Sequence, residues 1–225
     1  MAVEAVNFDG LRSPRERTWR GHPLSPIEEV RMFFDDRGPV PDTFRRLQRL
    51  LADAQIPHVF VGAIAANAHG FRRSTEDVDM CMRREDLERF KREFVGPVFK
   101  PVEGRPRRFY DPTTQVTFDI LVAGELAGNT RKQRLVRFPD PSEAELIDGA
   151  PFVSLPRLME LKLVTWRYQD WADVVSLIRI HNLDEKFGDQ FDPLVRSAYL
   201  QCYDQKVEED RYNPEIDDAP PAGQE

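Results

Sequence analysis

Residues 56–80 read IPHVFVGAIAANAHGFRRSTEDVDM, and along this stretch the chain changes from apolar to small to charged residues. The apolar run 59–61 predicts a short buried strand, and Gly62-Ala63 predicts a turn. The small residues of 64–70 favour a short helix after it. Because the first backbone N–H groups of a helix have no partner within the helix, such a junction can hold a phosphate or another anion.

Two acidic residues follow the turn at a spacing of two. Side chains alternate between the faces of a strand, so Asp77 and Asp79 lie on one face. Asp119 stands in the mostly apolar run VTFDILV, 116–122, and a neighbouring strand can bring it beside the pair. Three clustered carboxylates repel one another unless cations lie between them, and such oxygen ligands suit Mg²⁺ or Mn²⁺. The alternative role for Asp119 is an ion pair with an arginine.

The order of these features resembles the polymerase-beta-like nucleotidyltransferase superfamily. The resemblance rests on the glycine turn, the helix, the sequence RSTEDVD at 73–79 and the later Asp119, and it covers roughly residues 41–175. It implies the fold of that superfamily and transfer of a nucleotidyl group from a nucleoside triphosphate (NTP) to a hydroxyl, an activity of the EC 2.7.7 type.

The resemblance also implies roles for particular residues. In that superfamily the three acids bind two metal ions, which would be Mg²⁺ or Mn²⁺ held by Asp77, Asp79 and Asp119. Asp119 would also accept the proton of the attacking hydroxyl. The glycine turn holds the phosphates of the NTP, here through the backbone N–H groups of Gly62 and Ala63.

Arg73 and Thr75 complete the predicted nucleotide-binding set. Arg73 would neutralise phosphate charge, and Thr75 would order the turn before the acids. Members of the superfamily usually carry Gly-Gly or Gly-Ser where this chain has Gly62-Ala63. A serine hydroxyl is therefore not available to the phosphate, whereas the backbone N–H of Ala63 remains.

A second resemblance concerns the segment 154–156 together with Lys162, Arg167, Asp170 and Asp173. It looks like the helical region of abortive-infection and related toxin-type nucleotidyltransferases. By that resemblance Lys162 is a catalytic residue that stabilises triphosphate charge, and Asp170 or Asp173 fixes the base or the acceptor. The alternative places all four charged residues on an exposed helical surface, where they form pairs at a spacing of three.

Periodic patterns predict the remaining helices and strands. Capping signals and apolar stripes favour helices over 25–36, from 42 onward, over 84–94, over 156–168 and over 193–199, with the ordered part ending at Tyr203. Apolar or alternating runs favour strands over 98–102, 107–110, 115–122 and, at an edge of the sheet, 151–154.

These elements predict an α+β fold with a mixed, mostly antiparallel sheet, helices packed on one face and a C-terminal helical region. We expect four parts: a mobile N-terminal arm at 1–24, the nucleotidyltransferase domain at 25–150, a helical region at 151–203 and an acidic disordered tail at 204–225. The tail carries eight acidic and two basic residues, with too little apolar surface to offset the entropy lost on ordering.

The composition points to a cytoplasmic protein without a membrane partner. With 225 residues and 40% hydrophobic content, the chain can bury a substantial core, and it has no apolar run long enough to span a bilayer. The N-terminus lacks the order of a secretory signal. Cys81 and Cys202 are far apart and belong to no CxxC pair, so we expect reduced, buried thiols.

The net charge of −7 is uneven, because most of the excess acid lies in the tail. Basic groups at 105–108 and 131–137 favour RNA, with the 3' end of tRNA as the leading acceptor and a protein side chain as the second. The resemblance to toxin types adds a cognate antitoxin as a partner. The alternatives from other classes are a catalytically degenerate binding module of the same fold and a metal-dependent phosphohydrolase that uses the same acids.

Overall fold

The computed structural model of the protein describes residues 17–19, 21–128 and 136–212. Its helices are α1 Pro26–Phe34, α2 Pro39–Asp53, α3 Gly62–Ala68, α4 Arg84–Phe94, α5 Leu155–Leu163, α6 Tyr168–Ile180 and α7 Pro193–Arg211. Its strands are β1 Arg17–Trp19, β2 His22–Leu24, β3 Val59–Val61, β4 Asp77–Met82, β5 Lys100–Val102, β6 Arg105–Asp111, β7 Val116–Val122, β8 Glu145–Ile147 and β9 Ala150–Phe152. Short 3-10 segments, Pro141–Glu143 and Glu185–Gln190, lie in the connections.

Seven strands form one sheet in the order β5-β6-β7-β4-β3-β9-β8, and β1 and β2 form a separate hairpin. Within the sheet β4 runs parallel to β7 and β3 parallel to β9, while the other four neighbouring pairs are antiparallel. The predicted α+β class and the mixed, mostly antiparallel sheet are therefore confirmed.

Strand β7 alternates between buried and partly exposed positions as the sequence predicts, so its apolar side chains share one face of the sheet. Along β7 the buried positions are Val116, Phe118, Ile120 and Val122, and those between them are partly exposed. Helices α2 and α4 contact this sheet. Phe90 of α4 lies 6.0 Å from Phe118, measured between ring centroids, and Phe44 of α2 lies 4.7 Å from Phe60 of β3. Both helices therefore cover the apolar face and leave the acidic face free of them.

Three predicted elements differ from the structure, and each difference has a physical reason. Helix α2 begins at Pro39, not Asp42, because Pro at the first helical position needs no N–H partner. Strand β9 is not an edge strand, since β8 pairs with its outer side. The predicted helix 156–168 is two helices, α5 and α6, separated near Trp166, whose φ is +58°.

The break between α5 and α6 has a local cause. The hydroxyl of Thr165 donates to the carboxylate of Asp170 at 2.7 Å, and it accepts from the backbone N–H of Arg167 at 3.2 Å. These bonds hold the backbone in a turn. Asp170, which accepts one of them, lies in the first turn of α6.

Both ends of the described chain are more ordered than expected. Helix α7 continues past Tyr203 to Arg211, because Arg179 of α6 pairs with Glu209 at 2.8 Å and with Asp210 at 2.9 Å. At the other end, the indole N–H of Trp19 donates to Asp42 at 3.0 Å and attaches the β1–β2 hairpin to α2. The rest of the predicted arm, 1–16, and of the acidic tail, 213–225, lies outside the described residues.

None of the helices in the described part of the chain combines the length and the apolar character that crossing a bilayer requires.

The aromatic cluster beneath the sheet should dominate stability. Phe118 is fully buried, and its ring centroid lies 4.9 Å from that of Phe99 and 5.6 Å from that of Phe109. We predict that Phe118→Ala lowers the free energy of unfolding by about 3–5 kcal/mol, because it leaves a cavity that the cluster cannot fill. Urea denaturation measures this loss of free energy of unfolding. Tyr168→Ala, at a side chain that is 95% exposed, should change it by less than about 0.5 kcal/mol; equal effects would contradict the prediction.

Candidate active site

Three aspartates meet on the acidic face of the sheet. In the parallel pairing of β4 with β7, Asp79 lies directly beside Asp119, and Asp77 lies beside Thr117. Carboxylate oxygens of Asp77, Asp79 and Asp119 all lie within 4.8 Å of one another. The three acids therefore converge as the strand pattern predicts, while their role as metal ligands stays a prediction.

Gly62 brings the turn after β3 against this group. Val61 pairs with Asp79 across the antiparallel β3–β4 ladder, and Gly62 follows with a φ of +66°, a conformation that glycine tolerates best. A Cβ atom at Gly62 would overlap Oδ2 of Asp79. Glycine is therefore required twice here, for its backbone conformation and for the close approach. Ala63 begins the buried side of α3 directly after it.

Asn67 fixes the loop between α3 and β4. Its amide donates to the carbonyl oxygens of Ala63 and Arg73, each at 2.9 Å, and its side-chain oxygen accepts from the backbone N–H of Arg73 at 2.9 Å. The loop that leads to the acids is thereby attached to the helix that follows Gly62. The sequence analysis missed this residue, although a lone amide among the small apolar residues of GAIAANA was a visible signal.

Thr75 and Arg73 contact protein groups. The hydroxyl of Thr75 lies 3.3 Å from Oδ1 of Asp77 at the start of β4, and its role in ordering the turn stays a prediction. The guanidinium of Arg73 makes two contacts of 2.8 Å with the carboxylate of Asp173. Arg73 thus joins the loop before β4 to α6, and its proposed contact with phosphate stays a prediction.

Lys162 lies in a buried charged network. Its side chain is 4% exposed, and Nζ lies 2.5 Å from Oδ2 of Asp173 and 3.2 Å from Oδ1 of Asp170. Both aspartates are buried, so the predicted alternative of an exposed surface is wrong for these three residues. Only Arg167, 73% exposed and 2.7 Å from Asp170, fits that description. Whether Lys162 contacts a triphosphate stays a prediction.

The electrostatics of the three acids reflect their crowding. Burial raises the pKa of Asp79 to about 7, and the charges of Asp77 and Asp119 add to the rise. The cations of Lys162 and Arg108 offset only part of it. Burial also raises the pKa of Asp119, against the opposing effect of Arg108. Such a group of acids gains from a divalent cation, and its oxygen donors fit Mg²⁺ or Mn²⁺.

Arg108 is the second residue that the sequence analysis missed. It lies opposite Asp119 in the β6–β7 ladder, 3.5 Å from Asp119 and 3.4 Å from Asp77. The predicted alternative for Asp119, an ion pair with an arginine, is therefore present together with the clustering of acids. The position of Arg108 within the basic group 105–108 was visible, but the register of the hairpin that aims it was not.

The remaining members of the site's surroundings are apolar or distant. Cys81 is a free, buried thiol on β4 as predicted, and burial together with the charge of Asp79 raises its pKa. A cavity of about 540 Å³ opens at the other end of β4 and β7, and none of the three acids lines it. Among its four arginines, Arg83 binds Asp140 at 2.6 and 2.8 Å and Arg84 binds Glu125 at 2.7 Å.

No protein-family model matches this chain, and no curated protein matches it either. Several solved structures are similar to it. JHP933 from Helicobacter pylori is 14% identical, with a TM-score of 0.40 over 79% of this chain and 96% of that one. The antibiotic-resistance factor ANT(2'')-Ia is 14% identical, with a TM-score of 0.43 over 76% and 97%.

An antigenic nucleotidyltransferase-like protein from Paracoccidioides brasiliensis is 12% identical, with a TM-score of 0.43 over 76% of this chain and 89% of that one. ANT(2'')-Ia has also been solved in complex with adenylyl-2''-tobramycin. These are proteins to which part of the backbone is similar, and the assignment of the site depends on its own geometry.

The raised pKa of Asp79 has a consequence for stability. Because the pKa of this carboxyl is about 7 in the folded chain and 3.8 in the reference state, folding favours its protonated form. That contribution is complete below about pH 4 and is lost as the pH rises through about 7. We predict that Asp79→Asn, which cannot ionise, becomes more stable than the unaltered protein by a few kcal/mol between about pH 5 and pH 8.

Urea denaturation at each pH, with chelator present, measures this difference. The conservative control is Asp53→Asn, the same change at the exposed end of α2, which should alter the free energy of unfolding by less than about 0.5 kcal/mol. A pH-independent difference for Asp79→Asn would contradict the prediction.

The network around Lys162 should also be sensitive to loss of one partner. We predict that Asp173→Asn lowers the free energy of unfolding by about 3–5 kcal/mol, because Lys162 and Arg73 each lose a buried counter-charge. Thermal and urea unfolding measure the loss. Asp189→Asn, which removes a 60%-exposed partner of Arg196, is the matched control and should cost less than about 1 kcal/mol. Comparable losses would show that the buried network carries no special weight.

Proposed function

We propose that the protein is a metal-dependent nucleotidyltransferase that moves a nucleoside monophosphate from an NTP, such as ATP, to a hydroxyl acceptor. The observation that carries the proposal is the convergence of Asp77, Asp79 and Asp119 beside a turn that only glycine allows at Gly62. Isolated acids are common on surfaces. Three acids aimed at one point from adjacent strands are costly unless a cation binds there.

The residues have distinct parts in the proposed reaction. Asp77, Asp79 and Asp119 would hold Mg²⁺ or Mn²⁺, which when bound neutralises charge on the phosphoryl oxygens and lowers the pKa of a bound hydroxyl. The backbone N–H groups of Gly62 and Ala63 would hold the terminal phosphates of the NTP. The assignment of these two positions is supported by the motif resemblance and by their place beside Asp79.

Bond formation and proton transfer follow from the same arrangement. The acceptor oxygen bonds to the α-phosphorus, the bond from that phosphorus to the bridging oxygen breaks, and pyrophosphate leaves. The proton of the hydroxyl passes to Asp119, whose pKa is raised by burial, so it is a stronger base than a surface aspartate. Lys162 would act through its charge on Asp79 and on the incoming triphosphate.

The acceptor that we propose is the 3' end of an RNA, tRNA included, with a protein hydroxyl as the second candidate. Its support is the exposed Arg105 on β6 together with an exposed Trp166-Arg167-Tyr168 segment, since cations and aromatic rings suit nucleic acid. Arg107 is paired with Glu125, and residues 131–135 of the second basic group lie outside the described chain. A place in a toxin-antitoxin or defence pair, with a cognate antitoxin, is supported by the motif resemblance alone.

The test is a labelling assay with each of the four NTPs carrying ³²P at the α-phosphate, with Mg²⁺ or Mn²⁺. Total RNA, total protein and an aminoglycoside serve as separate acceptors. We predict transfer of label with release of pyrophosphate. Each of Asp77→Asn, Asp79→Asn and Asp119→Asn should reduce transfer at least about 100-fold, since loss of a ligand removes several kcal/mol of charge stabilisation.

Asp53→Asn, the same change at an exposed site, should leave transfer unaltered. Release of inorganic phosphate without any acceptor would instead indicate the phosphohydrolase. Absence of transfer to every acceptor with both metals would favour the degenerate binding module. Full transfer by Asp79→Asn would contradict the role proposed for the three acids.

A further inference from the structure

Arg108 occupies an unusual place for a basic residue. Its guanidinium donates to the hydroxyl of Thr117 at 2.9 Å, and its two terminal nitrogens lie 3.4 Å from Asp77 and 3.5 Å from Asp119. The side chain is 34% exposed, so it reaches the acids from the open side of the site. The hydrogen bond to Thr117 aims one planar group between two carboxylates on different strands.

This position is fixed by the register of two strand pairs. Arg108 lies opposite Asp119 in the antiparallel β6–β7 pair, and Thr117 lies beside Asp77 in the parallel β4–β7 pair. Paired residues of neighbouring strands point to the same face, so all four side chains share the acidic face. The guanidinium therefore occupies space beside the oxygens that the proposed metal would need.

The charges make the two occupants competitors. A guanidinium and a divalent cation beside the same carboxylates repel each other, and repulsion over a few ångströms remains appreciable in a partly exposed site. Without a metal, Arg108 offsets the mutual repulsion of Asp77 and Asp119. With a metal, that contribution is redundant and the guanidinium is set free next to the site.

We infer that Arg108 is an exchangeable counter-ion: it holds Asp77 and Asp119 together in the metal-free protein, competes with the metal for both, and once displaced binds the phosphates of the metal–nucleotide. This inference rests on the proposed function, because it takes the three acids to be the metal site. It assigns a nucleotide contact to a residue outside the glycine turn and outside the motif at 73–79.

The inference predicts changes of opposite sign in one variant. Arg108→Gln keeps a donor for Thr117 and removes the charge. It should bind Mn²⁺ alone about 3- to 10-fold more tightly, because its competitor is gone, and bind Mg²⁺ with α,β-methylene-ATP about 3- to 10-fold more weakly, because a phosphate contact is gone. Isothermal titration calorimetry on protein first stripped with chelator measures both constants.

Arg107→Gln is the matched control. It removes the same charge from the neighbouring position of β6, where the guanidinium binds Glu125 at 2.5 and 2.8 Å and does not face the acids. Both constants should stay within about twofold of the unaltered protein, because a change in net charge alone acts weakly through solvent. Metal-free melting temperature adds a readout: it should fall for Arg108→Gln, and saturating Mn²⁺ should remove most of that fall.

Arg108→Lys is a second variant that tests the same inference if Arg108→Gln fails to fold. It keeps the positive charge, but one nitrogen cannot span both carboxylates, so its affinity for Mn²⁺ should lie between those of the unaltered protein and Arg108→Gln. Circular dichroism establishes that each variant is folded.

The outcomes separate the two levels of proposal. If the unaltered protein binds Mn²⁺ and both Arg108 variants bind it equally well, Arg108 is not a counter-ion that competes with the metal. The proposed metal site is retained in that case. Tighter Mn²⁺ binding with unaltered nucleotide affinity overturns the phosphate contact. Equal failure of the unaltered protein and of Asp79→Asn to bind Mn²⁺ overturns the metal site and the inference together.

Discussion

Repulsion among three carboxylates is the constraint that the rest of this structure accommodates. Asp79 is the most enclosed of them, and the pairing of β4 with β7 leaves it no means of moving away from Asp119. The chain surrounds the group with cations on two sides, Lys162 from the helices and Arg108 from the sheet. Neither fully compensates, so the acids remain short of positive charge, which is the condition under which a divalent ion binds.

The glycine turn and the acids form one unit. Gly62 can approach Asp79 only because it has no side chain, and Asn67 then connects the helix after Gly62 to the loop before Asp77. A phosphate at the turn and a cation at the acids would therefore be held at a fixed separation. That rigidity favours a reaction that depends mainly on positioning and charge.

The sequence predicts the parts of the site that follow local rules. Alternation along β4 places Asp77 and Asp79 on one face, and the apolar run around Asp119 marks β7 as a buried strand. It does not predict what depends on distant partners. Arg108 is aimed by the register of a hairpin, Lys162 is buried because helix α6 returns Asp170 and Asp173 over it, and α7 is extended by Arg179 of another helix. Pattern reasoning carries no information on such pairings.

The network of Lys162, Asp173 and Arg73 has a consequence for how the chain is divided. Arg73 belongs to the loop before β4, whereas Lys162 and Asp173 belong to α5 and α6, and strand β9 completes the sheet beyond residue 150. A fragment that ended at that residue would expose the outer side of β3 and leave the partly buried guanidinium of Arg73 without its carboxylate. The contacts of β9, Lys162 and Asp173 therefore join the helical region to the sheet, so a cut at residue 150 would remove part of both.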